Sequence, residues 1–355
     1  MGFVKPTPVQ AESILPGLKG LDILGTAQTG TGKTAAFGIP LLTRLFDDHK
    51  KQALILAPTR ELAAQIDKVL KQMAKGLKLS GVLVVGGESF NRQLDEIKRN
   101  WDFIVATPGR LNDHLRGGSI SLKHVHILVL DEVDRMLDMG FAPQIKEVVQ
   151  HVPKERQTLL FSATLPDEIK SLANSMLNEP IRVAIGPVTQ TAPQVTETTL
   201  KTSQEGKYAL ILKEISKRHG RILIFTRTKT RAERLAKVIF DDGYNCVLLH
   251  GDRSQAQRKQ ALDRFHKGTH QIMVATDLAG RGIDVPDIEH VINFDVPQTR
   301  EDYIHRIGRT GRAGKTGNAV TFLLTNDFEG EQILAGVKPA AKVLFRSRGP
   351  VRRIR

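Results

Sequence analysis

Ala27-Gln28-Thr29-Gly30-Thr31-Gly32-Lys33-Thr34 is the stretch from which the rest of the chain is read. The apolar run Leu21 to Leu24 before it has the length of a short buried strand, and Thr34 to Phe46 after it carries apolar residues at helical spacing. The octapeptide therefore joins a strand to a helix. Glycines at 30 and 32 let the backbone turn its N–H groups inward, and the helix N-terminus adds partial positive charge. Such a loop is suited to holding phosphate, with Lys33 reaching the β/γ-phosphates and the Thr34 hydroxyl on Mg²⁺. The strict pattern opens with glycine; here that position is Ala27.

Working outward, the first half alternates strand-like runs with helical ones. The runs are Ala53 to Leu56, Gly81 to Val85, Phe103 to Ala106, Ile127 to Leu130 and Thr158 to Phe161, with amphipathic segments such as Glu61 to Lys71 between them. That alternation predicts a parallel sheet with helices on both faces. Periodicity lapses around 186–194, which reads as a linker with two prolines. A second alternation follows through Arg221 to Phe225, Lys229 to Asp241, Val247 to Leu249, Ser254 to His266, Gln271 to Ala275, His290 to Phe294 and Ala319 to Leu323. The expected layout is an α/β domain over 1–185, a linker over 186–194, a second α/β domain over 195–330 and a basic tail over 331–355. With one phosphate loop for two domains, a nucleotide is expected in the cleft between them.

At 355 residues the chain suits two ordinary cores. No apolar run approaches bilayer length and no signal-peptide pattern opens the chain, so a cytoplasmic protein is expected. The single cysteine, Cys246, excludes an internal disulfide framework and a Cys-based zinc site. A formal net charge of +14 points to a polyanionic partner, most simply nucleic acid. Lys338, Lys342, Arg346, Arg348, Arg352, Arg353 and Arg355 concentrate positive charge at the C-terminus, where a disordered arm would add salt-sensitive phosphate affinity.

Two further stretches carry chemistry. Asp131-Glu132-Val133-Asp134 follows an apolar strand directly, at the edge where open parallel sheets bind ligands. Asp131 is placed to hold Mg²⁺, mostly through water, and Glu132 to orient and deprotonate an attacking water. His305-Arg306-Ile307-Gly308-Arg309-Thr310-Gly311-Arg312 sets three arginines at steps of three among glycines that a surface helix would avoid. That spacing suggests guanidiniums delivered to a transferred phosphoryl group.

Together these stretches resemble a DEAD-box ATP-dependent RNA helicase of superfamily two, and within that family the chain is most similar to the bacterial RhlE-type group. The resemblance spans residues 2 to about 325 and implies two tandem RecA-like domains, each a mostly parallel sheet flanked by helices, with ATP and RNA bound across the interdomain cleft. Gly2-Phe3-Val4-Lys5-Pro6-Thr7-Pro8-Val9-Gln10 matches the Q motif, so Gln10 is expected to read the adenine edge and favour ATP over GTP. Thr29, Gly30, Thr31, Gly32, Lys33 and Thr34 would complete the nucleotide cradle from the first domain, and Arg281 and Asp284 would face it from the second. Arg309 and Arg312 are the implied γ-phosphate fingers, and Arg306 a brace of the closed interface.

Pro58-Thr59-Arg60-Glu61-Leu62, Gly86-Gly87 and Thr107-Pro108-Gly109-Arg110 match segments that grip RNA backbone. From these, Arg60, Gly87, Thr107 and Arg110 are implied RNA contacts, joined in the second half by Arg258 and Thr276. Ser162-Ala163-Thr164 matches the segment coupling hydrolysis to strand separation, its hydroxyls placed to bond Asp134 and His305. The resemblance further implies little sequence specificity, a monomer, no membrane partner, and work in ribosome assembly or RNA decay.

The sequence departs from the family twice. Val133 stands where the family has alanine, which predicts overpacking of about 1–3 kcal/mol behind the metal site, with ATPase retained and coupling altered. The chain begins nine residues before Gln10, short of the upstream aromatic that stacks on adenine, which predicts ATP affinity weaker by about 1 kcal/mol. A catalytically weak RNA-clamping scaffold and a DNA translocase are the competing readings.

Overall fold

The structure, a computed structural model, describes residues 5–27, 30–185, 195–280, 288–311 and 316–336. The first half runs α1 (Pro8–Leu18), β1 (Ile23–Thr26), α2 (Lys33–Asp47), β2 (Gln52–Leu56), α3 (Arg60–Met73), β3 (Gly81–Val84), α4 (Phe90–Ile97), β4 (Phe103–Ala106) and α5 (Pro108–Arg116). It continues through β5 (Val125–Leu130), α6 (Val133–Asp138), α7 (Ala142–Gln150), β6 (Gln157–Ser162), α8 (Asp167–Met176) and β7 (Ile181–Ala184). The second half runs β8 (Val195–Thr202), α9 (Gly206–Ser216), β9 (Arg221–Thr226), α10 (Lys229–Asp241), β10 (Cys246–Leu249), α11 (Gln255–His266), β11 (Ile272–Thr276) and α12 (Asp277–Gly280). It ends with β12 (Ile288–Asn293), α13 (Arg300–Ile307), β13 (Gly317–Leu324) and α14 (Phe328–Ala335).

Strands pair in the order β3-β4-β2-β5-β6-β1-β7 in one sheet and β10-β11-β9-β12-β13-β8 in the other. The pairings are parallel throughout, for example Leu24 with Leu160 and Ile224 with Val274. Side-chain alternation explains why the central strands read as unbroken apolar runs, since both faces of each are covered by helices. In β2, Ala53 and Ile55 enter the core on one face while Leu54 and Leu56 enter the other. In β9, Ile222 and Ile224 divide from Leu223 and Phe225 in the same way. Two sheets, each sandwiched by helices, are the two tandem α/β domains expected from the alternation.

Two strands carried no sequence signal. β7 is a short edge strand with three exposed positions out of four, and β8 is a polar edge strand, Val-Thr-Glu-Thr-Thr-Leu-Lys-Thr. Edge strands are half solvated and need no apolar run. Parallel pairing to β1 and β13 places them, through contacts distant in sequence. Helix α14 continues across residue 330 to Ala335. The expected linker 186–194 and residues 337–355 of the basic tail lie outside the described residues. Among the described residues no helix is long and apolar enough to cross a membrane.

Candidate nucleotide and nucleic-acid site

The first-domain segments singled out in the sequence, apart from Gln10, follow the carboxyl ends of strands. The phosphate loop follows β1, Arg60 follows β2, Gly86-Gly87 follows β3, Thr107 follows β4, Asp131-Glu132 follows β5 and Ser162 ends β6. One edge of one sheet thus collects groups that the sequence scatters over more than a hundred residues.

At the phosphate loop, Lys33 is 5% exposed, and its Nζ donates to the Ala27 carbonyl at 3.0 Å and stands 3.8 Å from Asp131 Oδ1. Gly32 caps α2 at φ +95°, and a Cβ there would come within 2.5 Å of Gln10 Nε2. The left-handed backbone is what favours glycine here, and a Cβ would also push the Gln10 amide out of place. Gln10 is itself buried, its Oε1 accepting from Thr7 N–H at 3.0 Å in a capping box on α1 and its Nε2 donating to the Gly32 carbonyl at 3.1 Å. The Q-motif glutamine therefore fastens α1 to the phosphate loop. Beyond these two bonds its amide has a second hydrogen and a second lone pair for a base edge. Thr7 was not singled out in the sequence, although the Thr7-x-x-Gln10 spacing is a capping signature.

Burial pushes the Asp131 carboxyl up to about 6 against the pull of Lys33. Glu132 occupies the left-handed region at φ +52°, a strained conformation for a side-chain-bearing residue, costing about 1–2 kcal/mol. Its surroundings fix it there: its N–H donates to Asp131 Oδ1 at 3.0 Å, and its carboxylate pairs with the buried Arg135 guanidinium at 3.3 Å. Val133 is wholly buried in the same core cluster as Met136, Leu130 and Leu160.

Asp134 is the meeting point of three segments. Its Oδ2 accepts from Ala163 N–H at 2.9 Å, Thr164 N–H at 3.0 Å and the Thr164 hydroxyl at 3.4 Å, while its own N–H donates to Ser162 Oγ at 3.2 Å. His305 Nε2, from the second domain, lies 3.9 Å from the same oxygen. The expected hydroxyl contacts to Asp134 are thus present, and the backbone of Ala163 and Thr164 adds to them.

Arg306 departs from its expected role at the domain interface. It is 1% exposed and donates to both Asp277 carboxylate oxygens, to Asn293 Oδ1 at 3.1 Å and to the Asp295 carbonyl at 2.6 Å. All these partners are in its own domain, so Arg306 braces the ends of β11 and β12 from within. Arg309 is buried, with its Nε donating to the His305 carbonyl at 3.2 Å. Thr29, Arg281, Asp284 and Arg312 lie outside the described residues.

A groove opens between the domains, lined on one side by Arg60, Gly86, Thr107, Gly109 and Arg110 and on the other by Gly251, Arg253 and Arg258. Gly87 packs against the Arg60 guanidinium, and its φ of +77° lies in the left-handed region that favours glycine. Arg258 reaches across, its Nε 2.6 Å from Glu61 Oε1, and also donates to the His250 carbonyl at 3.3 Å. It is committed to bridging the domains. Thr276 ends β11, buried, and is not among the groove-lining residues. Arg253 and Gly251 were not picked out in the sequence; they follow β10 and carry no motif spacing of their own.

Two parallel-sheet domains, a lysine-bearing phosphate loop after β1, acidic residues after β5 at the same sheet edge and a basic groove across the cleft define a nucleic-acid-dependent NTPase. Residues 7–172 match the DEAD/DEAH box helicase family and residues 206–314 the helicase conserved C-terminal domain. The chain is 44% identical over 325 residues to the DEAD-box ATP-dependent RNA helicase CshA of Geobacillus kaustophilus, covering 91% of this chain and 70% of that protein. Against the Bacillus subtilis CshA the identity is 43%, covering 91% and 66% respectively. Among solved structures, Mss116p bound to ssRNA and AMP-PNP gives a TM-score of 0.87 at 32% identity, covering 95% of this chain and 73% of that one. S. cerevisiae Dbp5 bound to RNA and ADP BeF3 gives 0.85 at 33% identity, covering 94% and 87%. The chain belongs to the DEAD-box family of ATP-dependent RNA helicases, and its two domains are RecA-like. It spans roughly two thirds of the length of those curated relatives.

Proposed function

We propose that the chain is an RNA-dependent ATPase that holds single-stranded RNA across both domains, closes around Mg-ATP and locally separates short duplexes. The observation that carries this reading is Asp134, which joins the acidic tetrapeptide to Ser162-Ala163-Thr164 and faces His305 of the second domain at 3.9 Å. Chemistry at the strand end and closure of the cleft then share one carboxylate.

In this reading Lys33 and the loop N–H groups, Gly30, Thr31 and Gly32 among them, hold the phosphates, and Glu132 orients the attacking water and takes its proton. Arg309 and Arg312 meet the charge developing on the transferred group, and Arg281 and Asp284 face the nucleotide from the second domain. Asp131 and Thr34 would hold Mg²⁺. The fit is good: a buried carboxylate whose ionisation is opposed by desolvation gains from a nearby dication. Among the described residues no three His, Cys, Asp or Glu converge on one point. That suits a cation held largely by nucleotide oxygens and water. When bound, Mg²⁺ would neutralise phosphate charge.

Arg60, Gly87, Thr107 and Arg110 contact RNA backbone, with Arg258 and Thr276 supporting the opposite wall. Contacts of this kind favour no particular sequence. The domain limits proposed are 1–185 and 195–330, joined by 186–194 and followed by the basic arm. The finer parts of the proposal are a cytoplasmic monomer of the RhlE-type group and, from the family alone, work in ribosome assembly or RNA decay.

The test is ATP turnover with and without single-stranded RNA. Stimulated turnover that disappears in Lys33→Ala and in Arg312→Ala is expected. Untouched stimulation in Arg312→Ala would overturn the two-domain account. RNA binding without stimulated turnover would mark a clamp.

A further inference from the structure

One buried polar network takes no part in the chemistry above. Gln93, 4% exposed on α4, donates from Nε2 to the Val85 carbonyl at 2.7 Å. Its Oε1 faces the Arg110 guanidinium at 3.5 Å and His114 Nε2 at 3.3 Å. A carbonyl only accepts and a guanidinium only donates, so the amide has one consistent orientation. That orientation dictates the tautomer of His114: Nε2 carries the hydrogen and Nδ1 is an acceptor, 2.9 Å from Ser119 Oγ, whose single hydroxyl hydrogen has the His114 carbonyl at the same distance. His114 is wholly buried, and burial together with nearby Arg110 holds its pKa below the ordinary histidine value, in keeping with a neutral ring.

The network encloses the glycine pair. Val85 precedes Gly86-Gly87 and Glu88 follows it; Gln93 holds the first carbonyl, and Arg110 donates to the second at 3.1 Å. Phe90 stacks on the His114 ring with centroids 4.1 Å apart and planes 8° from parallel, and the Arg110 guanidinium stands 5.7 Å from the Phe90 centroid. Two adjacent glycines have more backbone freedom than any other pair, and a turn built on them gains most from being braced externally. Bracing it before the ligand arrives lowers the ordering cost of binding.

We propose that Gln93 and His114 are positioning residues of the RNA groove. They lock the glycine turn and Arg110 into one register, so that segments from two strand ends grip the same strand. The inference rests on the groove being the RNA site, and it adds two residues that do not line it.

The experiment measures RNA-stimulated ATP turnover of the full chain against a single-stranded oligouridylate. His114→Phe keeps the stack on Phe90 and removes the Nε2–H donor. The expected result is a KM for RNA raised about fivefold, the equivalent of one ordinary hydrogen bond, with kcat at saturating RNA unchanged. His114→Gln, which retains a donor toward Gln93, should recover part of that loss. Ser119→Ala, at the half-buried end of the network, should raise the KM in the same direction without lowering the melting temperature, which separates positioning from folding. An unchanged KM in variants that melt like the parent would overturn the inference, as would kcat and KM failing together. Absence of RNA stimulation in the unaltered chain would overturn the helicase reading itself.

Discussion

Arg258 Nε stands 2.6 Å from Glu61 Oε1, an ion pair between α11 of the second domain and the first turn of α3 in the first. The two side chains are 13% and 11% exposed, so solvent screens the pair far less than a surface salt bridge. Removing either partner leaves a largely desolvated charge in the interface. Glu61→Ala and Arg258→Ala should each weaken closure by about 2 kcal/mol, or about thirtyfold in the RNA concentration needed to stimulate turnover. Exchanging the charges, Glu61→Arg with Arg258→Glu, should restore part of the loss. Additive losses when Glu61→Ala and Arg258→Ala are combined would show that the pair does not couple the domains.

Asp134 accepts from three backbone N–H groups, those of Arg135, Ala163 and Thr164, as well as from the Thr164 hydroxyl, and the hydroxyl bond is the longest of the four at 3.4 Å. Asp134→Ala should therefore be far more damaging than Thr164→Ala, since it strands buried N–H donors at about 1–3 kcal/mol each. Thr164→Ala should keep RNA-stimulated hydrolysis while reducing duplex separation. Parallel assays of hydrolysis and unwinding distinguish the two, and equal loss in both assays for Thr164→Ala would remove its coupling role.

Val133 is fully buried among apolar neighbours, so replacing it with the family's alanine leaves a space. Val133→Ala should lower the stability of the first domain by about 1–2 kcal/mol, from lost burial and a small cavity. Denaturant unfolding followed at Trp101, buried in the same cluster, reads this directly. A gain in stability would mean that valine overpacks the site, as the sequence comparison with the family suggests.

His290 illustrates a pH effect remote from the site. It is 8% exposed, its Nδ1 2.8 Å from an Arg218 guanidinium nitrogen, and burial followed by Arg218 holds its pKa down to about 4. The folded value lies below the unfolded one, so the unfolded chain binds the proton more readily. The contribution of His290 is fully present above about pH 6.5 and is lost as pH falls toward 4. Stability measured across that window should fall with pH in the parent and fall less steeply in His290→Gln. Identical slopes would assign the acid sensitivity to other groups.

The sequence by itself determined which segments carry chemistry, because each depends on local spacing. Lys33 inside a glycine-bearing loop, Asp131-Glu132 behind an apolar strand and the arginine ladder ending at Arg312 need no distant information to be recognised. The central strands were legible for a similar reason, being buried on both faces and therefore continuously apolar. Only the tertiary structure decided which distant segments touch. Polar edge strands β7 and β8 exist through parallel partners far along the chain. The commitments of individual polar groups are also set by what lies across space: Gln10 on the phosphate loop, Arg258 on Glu61, and Arg306 on Asp277 within its own domain. A guanidinium or an amide has the same composition wherever it points. The fold fixes its partners, and with them whether it contacts RNA, braces a turn or joins the two domains.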